Sequence, residues 1–419
     1  MDFSEHPCFN ANVRHTKGRI HLPVAPKCNV QCNFCNRKYD CVNESRPGVT
    51  STILAPEQAS LYLDSVLERV PNLAVVGIAG PGDPFANTDE TLRTMELVGK
   101  NHPDKILCLA TNGLGLAEYV DRISKMNISH VTITLNAVDP EIGAKIYAWV
   151  RLGPHIYRGV EGAKLLLERQ TLAIGLLKEH GIIVKINTVI IPGINDEHAV
   201  DVAKYAAALG ADIQNCIPLM HVEGTAFEGL PTPDAHAMQE LRLKAGQYIK
   251  QMTHCARCRA DAVGLVGKEN SEEIARLLAA AATLKPTAER PYVAVASMEG
   301  LFVNRHLGEA TELWIFGLEK GQVRLLSQRP TPLPGAGDER WRDLAKNLSD
   351  CCAILVSGSG KAPEKVLSEY GIAVIAAEGL ISEIAGAVLE GRPIPKVLLR
   401  TAGACGVGIS CSGTGSGCM

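Results

Sequence analysis

Aromatic residues are scarce in this 419-residue chain: 3 Trp, 9 Tyr and 7 Phe amount to 5%. With a formal net charge of −3, the composition leaves no broad basic face interleaved with aromatic side chains, the surface a nucleic-acid binder needs. Long apolar runs are missing as well. None reaches the ~18 residues of a membrane-spanning helix, and the Ala-rich stretch at 279–282 is short and flanked by charges. Neither a membrane nor a nucleic acid is therefore expected as a partner. The opening Met1-Asp2-Phe3-Ser4-Glu5 lacks the charged-then-apolar order of a secretory signal. The 14 Cys are accordingly expected to be reduced thiols of a cytoplasmic protein rather than a disulfide framework.

What the chain does have is thiols in order. Cys28-Asn29-Val30-Gln31-Cys32-Asn33-Phe34-Cys35 is a C-x-x-x-C-x-x-C run that follows an apolar, proline-punctuated stretch at 19–26. Three thiolates on one short loop can hold three irons of a [4Fe-4S] cube and leave the fourth iron open. An open iron is what a radical S-adenosylmethionine (SAM) enzyme uses to take the amino and carboxylate groups of SAM before an electron breaks the C–S bond. A structural zinc knot and three reactive thiols are the competing readings, although zinc knots usually draw four ligands from two C-x-x-C pairs.

At ~150 residues per domain the length allows two domains. Strands are expected at 19–26, 73–79, 106–110, 130–135, 182–191 and 212–219, and helices at 56–69, 88–100, 115–126, 160–180 and 196–208. Such alternation predicts a parallel sheet wrapped by helices. Six βα units fall short of a closed eightfold barrel, so the expected fold class is α/β with a partial (β/α)6 barrel, its site at the C-terminal ends of the strands. Those ends carry Ala79-Gly80-Pro81-Gly82-Asp83-Pro84, Thr111-Asn112-Gly113, Thr134-Leu135-Asn136 and Lys185-Ile186-Asn187. Each alone reads as a turn or a satisfied polar group; their recurrence at one end of the sheet predicts ligand contact.

Further thiols are scattered. Cys8 lies in His6-Pro7-Cys8-Phe9, Cys41 just past the first loop, Cys108 in the third expected strand, and Cys255 and Cys258 in Cys255-Ala256-Arg257-Cys258-Arg259-Ala260-Asp261. His21 falls in the first strand and Cys216 in the sixth. Singly, a buried cysteine is a small hydrophobe and a strand histidine a core group, and Cys216 is read that way. Cys255 and Cys258 with two loose thiols would equally serve a structural zinc.

Together these segments resemble the NifB family, the radical-SAM enzymes that assemble the core of the nitrogenase cofactor. The resemblance spans residues 1–270 and rests on His6-Pro7-Cys8-Phe9, Gly18-Arg19-Ile20-His21-Leu22-Pro23-Val24-Ala25-Pro26, the three-cysteine loop, and Cys41 with Glu44-Ser45-Arg46-Pro47. Ala79 to Pro84, Thr132-Ile133-Thr134-Leu135-Asn136, Lys185-Ile186-Asn187 and Cys255 to Asp261 complete it.

It implies SAM and three [4Fe-4S] clusters: a radical cluster on Cys28, Cys32 and Cys35, a first substrate cube on Cys8, His21 and Cys108, and a second on Cys41, Cys255 and Cys258. Three ligands keep each cube under-ligated, so it can be fused or released, and a histidine gives way more readily than a thiolate. Glu44 would ligate an iron transiently or relay a proton, against the equal reading of a paired surface carboxylate. Gly80, Gly82, Thr134, Asn136, Lys185 and Asn187 would position SAM, chiefly through backbone groups and ribose hydrogen bonds. By the same resemblance one SAM methylates a cube sulfide and a second is cleaved reductively, so that the methyl carbon ends as a carbide between fused cubes. The implied partners are iron–sulfur cluster donor proteins, a reductant such as ferredoxin, and a carrier or scaffold protein that receives the product. Two other classes stay open: a cluster scaffold with a vestigial SAM loop, and a radical-SAM enzyme acting on a peptide or RNA with auxiliary clusters at Cys255 and Cys258.

A helix and polar linker at 271–290 separate this region from a second pattern at 291–400. Strands are expected there at 292–297, 312–317, 323–327, 353–357 and 372–376, and helices at 338–348, 361–369 and 378–390. Val293-Ala294-Val295-Ala296-Ser297-Met298-Glu299-Gly300 and Asn304-Arg305-His306-Leu307-Gly308 resemble the NifX-type cofactor carrier, which implies a small ribonuclease-H-like α/β domain. His306 is a structural group or a holder of the finished cluster. The Gly/Ser-rich tail at 401–419 carries Cys405, Cys411 and Cys418 in no known spacing and reads as flexible, with iron binding the lesser reading.

Overall fold

Leu73 to Ile78 is buried at every position, as a strand covered on both faces must be. In the computed structural model, which describes residues 5–400 except 44–47, 51, 256–257, 267, 270–271, 282–285, 334, 336 and 393, this strand is one of six parallel strands. Contacts divide the chain into two units, Met1–Ala281 and Ala282–Met419.

The first unit runs β1 (Gly18–His21), β2 (Val30–Cys32), α1 (Pro56–Leu67), β3 (Leu73–Ile78), α2 (Thr88–Asn101), β4 (Ile106–Thr111), α3 (Val120–Lys125), β5 (Ile128–Thr134), α4 (Pro140–Ile146), β6 (Tyr147–Leu152) and β7 (His155–Tyr157). It continues through α5 (Gly159–Glu179), β8 (Ile183–Ile190), α6 (Ala199–Ala208), β9 (Ile213–Pro218), α7 (Ala235–Ala245), β10 (Val263–Leu265), β11 (Lys268–Glu269) and α8 (Glu272–Ala281). The sheet order is β11-β10-β1-β3-β4-β5-β8-β9, parallel from β1 to β9 and extended at the β1 edge by the antiparallel β10 and β11. This is the partial barrel expected from six βα units.

Departures from expectation have local causes. The first strand pairs only over Gly18–His21, because Pro23 and Pro26 bring no N–H to the ladder. A second sheet, β2-β6-β7, was not foreseen; its strands are short and half exposed. Helix α4 was missed too, although Asp139 caps it by accepting from Glu141 N–H at 2.8 Å and Pro140 opens it. Helix α8, expected between domains, packs on α1 within the first unit. Among the described residues no helix is long and apolar enough to cross a membrane.

The second unit comprises β12 (Tyr292–Val295), β13 (Phe302–Val303), β14 (Glu312–Glu319), β15 (Gln322–Pro330), α9 (Asp338–Asn347), β16 (Cys351–Val356), α10 (Lys361–Glu369), β17 (Ala373–Ala376), β18 (Gly379–Leu380) and α11 (Ile381–Leu389). Its sheet order β15-β14-β12-β16-β17, with β14 antiparallel to β12 and β12, β16 and β17 parallel, is ribonuclease-H-like. Trp341, Leu344 and Leu367 pack on one face and Ile381, Ile384 and Val388 on the other. Arg290 donates to the Tyr370 and Gly371 carbonyls at 2.7 and 2.9 Å, so the second unit holds the chain from that residue onward. The tail and its Cys405, Cys411 and Cys418 lie outside the described residues.

Each unit thus has its own sheet and core. A chain ending at Glu289 should fold alone and melt in one cooperative transition by circular dichroism; a broad, non-cooperative melt would show that the first unit has no self-sufficient core.

Candidate active site

Register places two of the residues expected to hold the first substrate cube. His21 pairs with Gly77 across β1 and β3, and Gly77 with Cys108 across β3 and β4, so the three form one row across the sheet. Glycine is needed in the middle: a Cβ on Gly77 would come 2.8 Å from Cys108 Sγ and 3.3 Å from His21 Cδ2. His21 Nδ1 lies 3.0 Å from the Arg259 carbonyl, which puts the ring proton there and leaves Nε2 a lone pair for a metal. Burial, then the Arg19 guanidinium, lowers His21 to about 4, so the ring is neutral at pH 7.

Further rows follow, with Thr132 beside Lys185 and Thr134, Asn187 and Asn215 in line. The cavity at these rows, about 720 Å³ with its mouth included, is lined by Cys8, His21, Cys108, Cys255, Cys258, Lys185 and Asn187 among others. The Nζ of Lys185 lies 5.8 Å from the centre of the Phe9 ring. Cys255 arrives from the far edge of the barrel, where Gln214 N–H donates to Lys250 O and Met252 N–H to Gln214 O, and His254 Nε2 then meets Pro7 O at 3.0 Å. Arg19, fully buried in β1, reaches Cys258 Sγ with Nη2 at 2.6 Å and Nε at 3.2 Å, while its Nη1 holds Gly264 O at 2.7 Å.

A second cavity of about 380 Å³ is lined by Cys28, Cys32, Cys35, Cys41, Arg37, Asn43, Gly82, Thr134 and their neighbours. Its loop is tied to the end of β3 by backbone: Gly82 N–H donates to Ala25 O at 2.6 Å, Asp83 N–H to Lys27 O at 2.7 Å, and Cys41 N–H to Pro81 O at 2.9 Å. A Cβ on Gly82 would sit 2.0 Å from Lys27 O. The buried Asp83 carboxylate accepts from Asn112 N–H at 2.6 Å and Thr111 Oγ1 at 2.9 Å. Asn112 Nδ2 in turn faces Cys28 Sγ at 3.8 Å. Asn43 Nδ2 faces Cys32 Sγ at 3.8 Å and Cys41 Sγ at 3.6 Å.

Burial pushes the Cys28 thiol up to about 11, with the Asp83 carboxylate adding to it. Cys32 is raised well above the ordinary thiol value by burial and by its cysteine neighbours; Cys35 is raised by burial against the Arg37 charge. Thiolates here need a cation in their midst, and soft sulfur donors suit iron–sulfur clusters. Among the described residues no three His, Cys, Asp or Glu side chains are grouped so as to hold a single metal ion. A cube, with irons at separate corners, takes its thiols apart.

The expected residues are distributed as follows. Cys8, His21 and Cys108 share the barrel cavity with Cys255 and Cys258, whereas Cys41, grouped with that pair by the resemblance, lines the loop cavity because its N–H is pinned to Pro81. The two cavities share Ala110. Thr134 lines the loop cavity, Lys185 and Asn187 the barrel cavity. Gly82 has its N–H committed to Ala25, so it docks the loop. Gly80 holds a φ of 137° open only to glycine and takes Ala25 N–H on its carbonyl at 3.4 Å. Asn136 lines neither cavity: its Oδ1 accepts from Val189 N–H at 2.9 Å and its Nδ2 donates to Asn43 Oδ1 at 3.4 Å. Glu44 lies outside the described residues. His306 Nδ1 accepts from Gly308 N–H at 3.1 Å, which caps a short 3-10 helix and leaves the proton on Nε2. Cys216 is fully buried in an apolar cluster with Ile190 and Met238. Asn43, Gly77 and Arg19 were not foreseen as site residues; only Asn43, two places after Cys41, had a local signal.

Residues 22–206 match the family model of the radical SAM superfamily, and residues 289–391 that described as dinitrogenase iron-molybdenum cofactor. The FeMo cofactor biosynthesis protein NifB of Chlorobaculum tepidum is 49% identical over 100% of this chain and 99% of its own length. The proteins of that name from Frankia alni and Klebsiella pneumoniae are each 40% identical, over 91% and 88% of this chain and 86% of theirs. Among solved structures, Streptococcus suis SuiB bound to S-adenosylmethionine matches at a TM-score of 0.42 and 16% identity over 60% of this chain and 54% of that one, too loosely to argue from. A thiol loop suited to an open-iron cube, a partial barrel, and identity running the length of whole relatives converge on one assignment: the chain belongs to the NifB family of radical SAM enzymes.

Proposed function

We propose that the chain fuses two [4Fe-4S] clusters into the eight-iron, nine-sulfur, one-carbon precursor of the nitrogenase cofactor, using a carbon drawn from SAM and one added sulfur. The observation that carries this reading is the pair of adjoining cavities, one around the three-thiol loop and one lined by four thiols and a neutral histidine. The names of the relatives, which refer to FeMo cofactor biosynthesis, support it.

Cys28, Cys32 and Cys35 would hold the radical cluster, whose open iron, with SAM bound, supplies the electron that breaks the C–S bond and yields a 5′-deoxyadenosyl radical. Two substrate cubes would be taken by Cys8, His21 and Cys108 and by Cys41, Cys255 and Cys258. Around them the chain's residues have distinct tasks. His21 offers its Nε2 lone pair because Arg259 O holds the other nitrogen. Arg19 keeps the Cys258 sulfur in place. The Lys185 ammonium puts positive charge beside anionic cubes in a buried setting, where Coulomb attraction is weakly screened. Thr134, Asn187 and Asn43 line the approach between the loop and the barrel.

Three ligands per cube leave each open to fusion and release. One SAM would give its methyl to a cube sulfide and leave as S-adenosylhomocysteine; a second would end as 5′-deoxyadenosine after taking hydrogen from that methyl. The second unit, by its family match, would retain or hand over the product. Cluster donor proteins, a one-electron reductant such as ferredoxin and a receiving carrier complete the scheme.

Cys32→Ala should bring 5′-deoxyadenosine formation to background while iron at the other sites stays bound; formation at the normal rate would remove the loop from the radical chemistry. Cys258→Ala should take about four irons per chain from the reconstituted protein, since each cube carries four. Unchanged iron with zinc bound at Cys255 would replace the second cube by a structural zinc.

A further inference from the structure

His6 opens the sequence motif that carries Cys8, yet no role has been given to it. Its ring is 2% exposed and lines the barrel cavity together with Cys8, His21 and Cys108. Packing holds the ring on two sides: the Phe9 ring meets it edge-on with centroids 4.7 Å apart, and the His130 ring lies at 4.5 Å. The backbone N–H of Cys8 donates to His6 Nδ1 at 3.2 Å. That bond makes Nδ1 an acceptor and puts the ring proton on Nε2. Nε2 is buried and has no hydrogen-bond partner among the described residues.

His21 and His6 therefore stand in the same cavity in opposite tautomers. His21 has its Nδ1 proton on Arg259 O and a bare Nε2, as an iron ligand requires. His6 has a bare Nδ1 occupied by Cys8 and a protonated Nε2, which cannot ligate iron but can donate. A buried N–H left without an acceptor is a cost that native proteins avoid, and since His6 lines the cavity, an occupant of the cavity can supply the acceptor. Among apolar side chains the cavity lining carries four thiols, the His21 imidazole and the cationic Lys185, donors and charge that suit an iron–sulfur cube. The acceptors such a cube presents are its bridging sulfides.

We propose that His6 is a positioning residue that donates a hydrogen bond from Nε2–H to a sulfide of the cube bound in the barrel cavity. This rests on the reading of that cavity as a cube site. The bond fixes the rotation of a cube held by only three protein ligands. It also withdraws charge from the sulfide it touches, so that sulfide is a poorer nucleophile than its neighbours, and it stabilises the more negative, reduced form of the cube.

The test uses the full chain reconstituted with iron and sulfide under anaerobic conditions, without SAM, in wild-type and Cys32→Ala backgrounds, the latter to remove the radical cluster's signal. His6→Phe keeps a ring against Phe9 and His130 but has no donor; His6→Asn keeps a side-chain N–H. Iron per chain is measured with the midpoint potential from an EPR-monitored redox titration. The expected result is wild-type iron content in both variants, a midpoint shifted to more negative potential in His6→Phe, and a smaller shift in His6→Asn. An unchanged midpoint in His6→Phe would overturn the proposal, as would equal shifts in both variants, which indicate packing alone. Loss of about four irons in His6→Phe would make His6 a ligand and overturn it as well. If the Cys32→Ala protein binds no cube at all, the cube-site reading falls first and the proposal with it, a failure the variants do not resemble.

Discussion

The cluster loop is fastened to the barrel at one place where only glycine fits. Gly82 lies so close to Lys27 that any side chain would collide with backbone, and the hydrogen bonds from Gly82 and Asp83 to Ala25 and Lys27 depend on that approach. Everything above the barrel inherits its position from this contact. Cys28 follows Lys27 directly, Cys41 is tied to Pro81, and Asp83 turns to brace Asn112 beneath Cys28. Backbone pairing is an apt fastening for such a loop, because these bonds draw on none of its cysteine side chains.

The electrostatics are those of a site waiting for positive charge. Burial raises the loop thiols and lowers the cavity histidines, so without a cluster the groups are neutral. Cluster binding must displace the thiol protons, and the free energy of iron–sulfur bonding must cover the work of creating buried thiolates. The same arrangement makes the site selective. An occupant that brings no concentrated positive charge gains nothing from these thiols, whereas a soft, thiophilic iron–sulfur core does.

Much of this was legible in the sequence. The six barrel strands could be placed because parallel strands buried on both faces are continuous apolar runs, and the three-thiol loop because its ligands are neighbours in the chain. The small β2-β6-β7 sheet was not, since β2 is hidden among the cysteines and β6 shows no regular alternation of buried and exposed positions. For the site the limit was register. Nothing local in Gly77 says that it must be bare so that His21 and Cys108 can face each other, and Arg19 meets Cys258 across 239 residues. Resemblance to a family grouped the ligands; it did not reveal that Cys41 opens onto the loop cavity, because that follows from one backbone bond to Pro81.

The barrel is open, and the gap has been put to use. The strip that leaves the free edge of β9 at Lys250–Met252 returns to β1 as β10, passing through Cys255 and Cys258 on the way. It works as a clasp across an unclosed hoop. In the proposed scheme two of the ligand thiols sit on the clasp itself, so the strip of chain that spans the gap in the hoop is also the one that would hold the cargo.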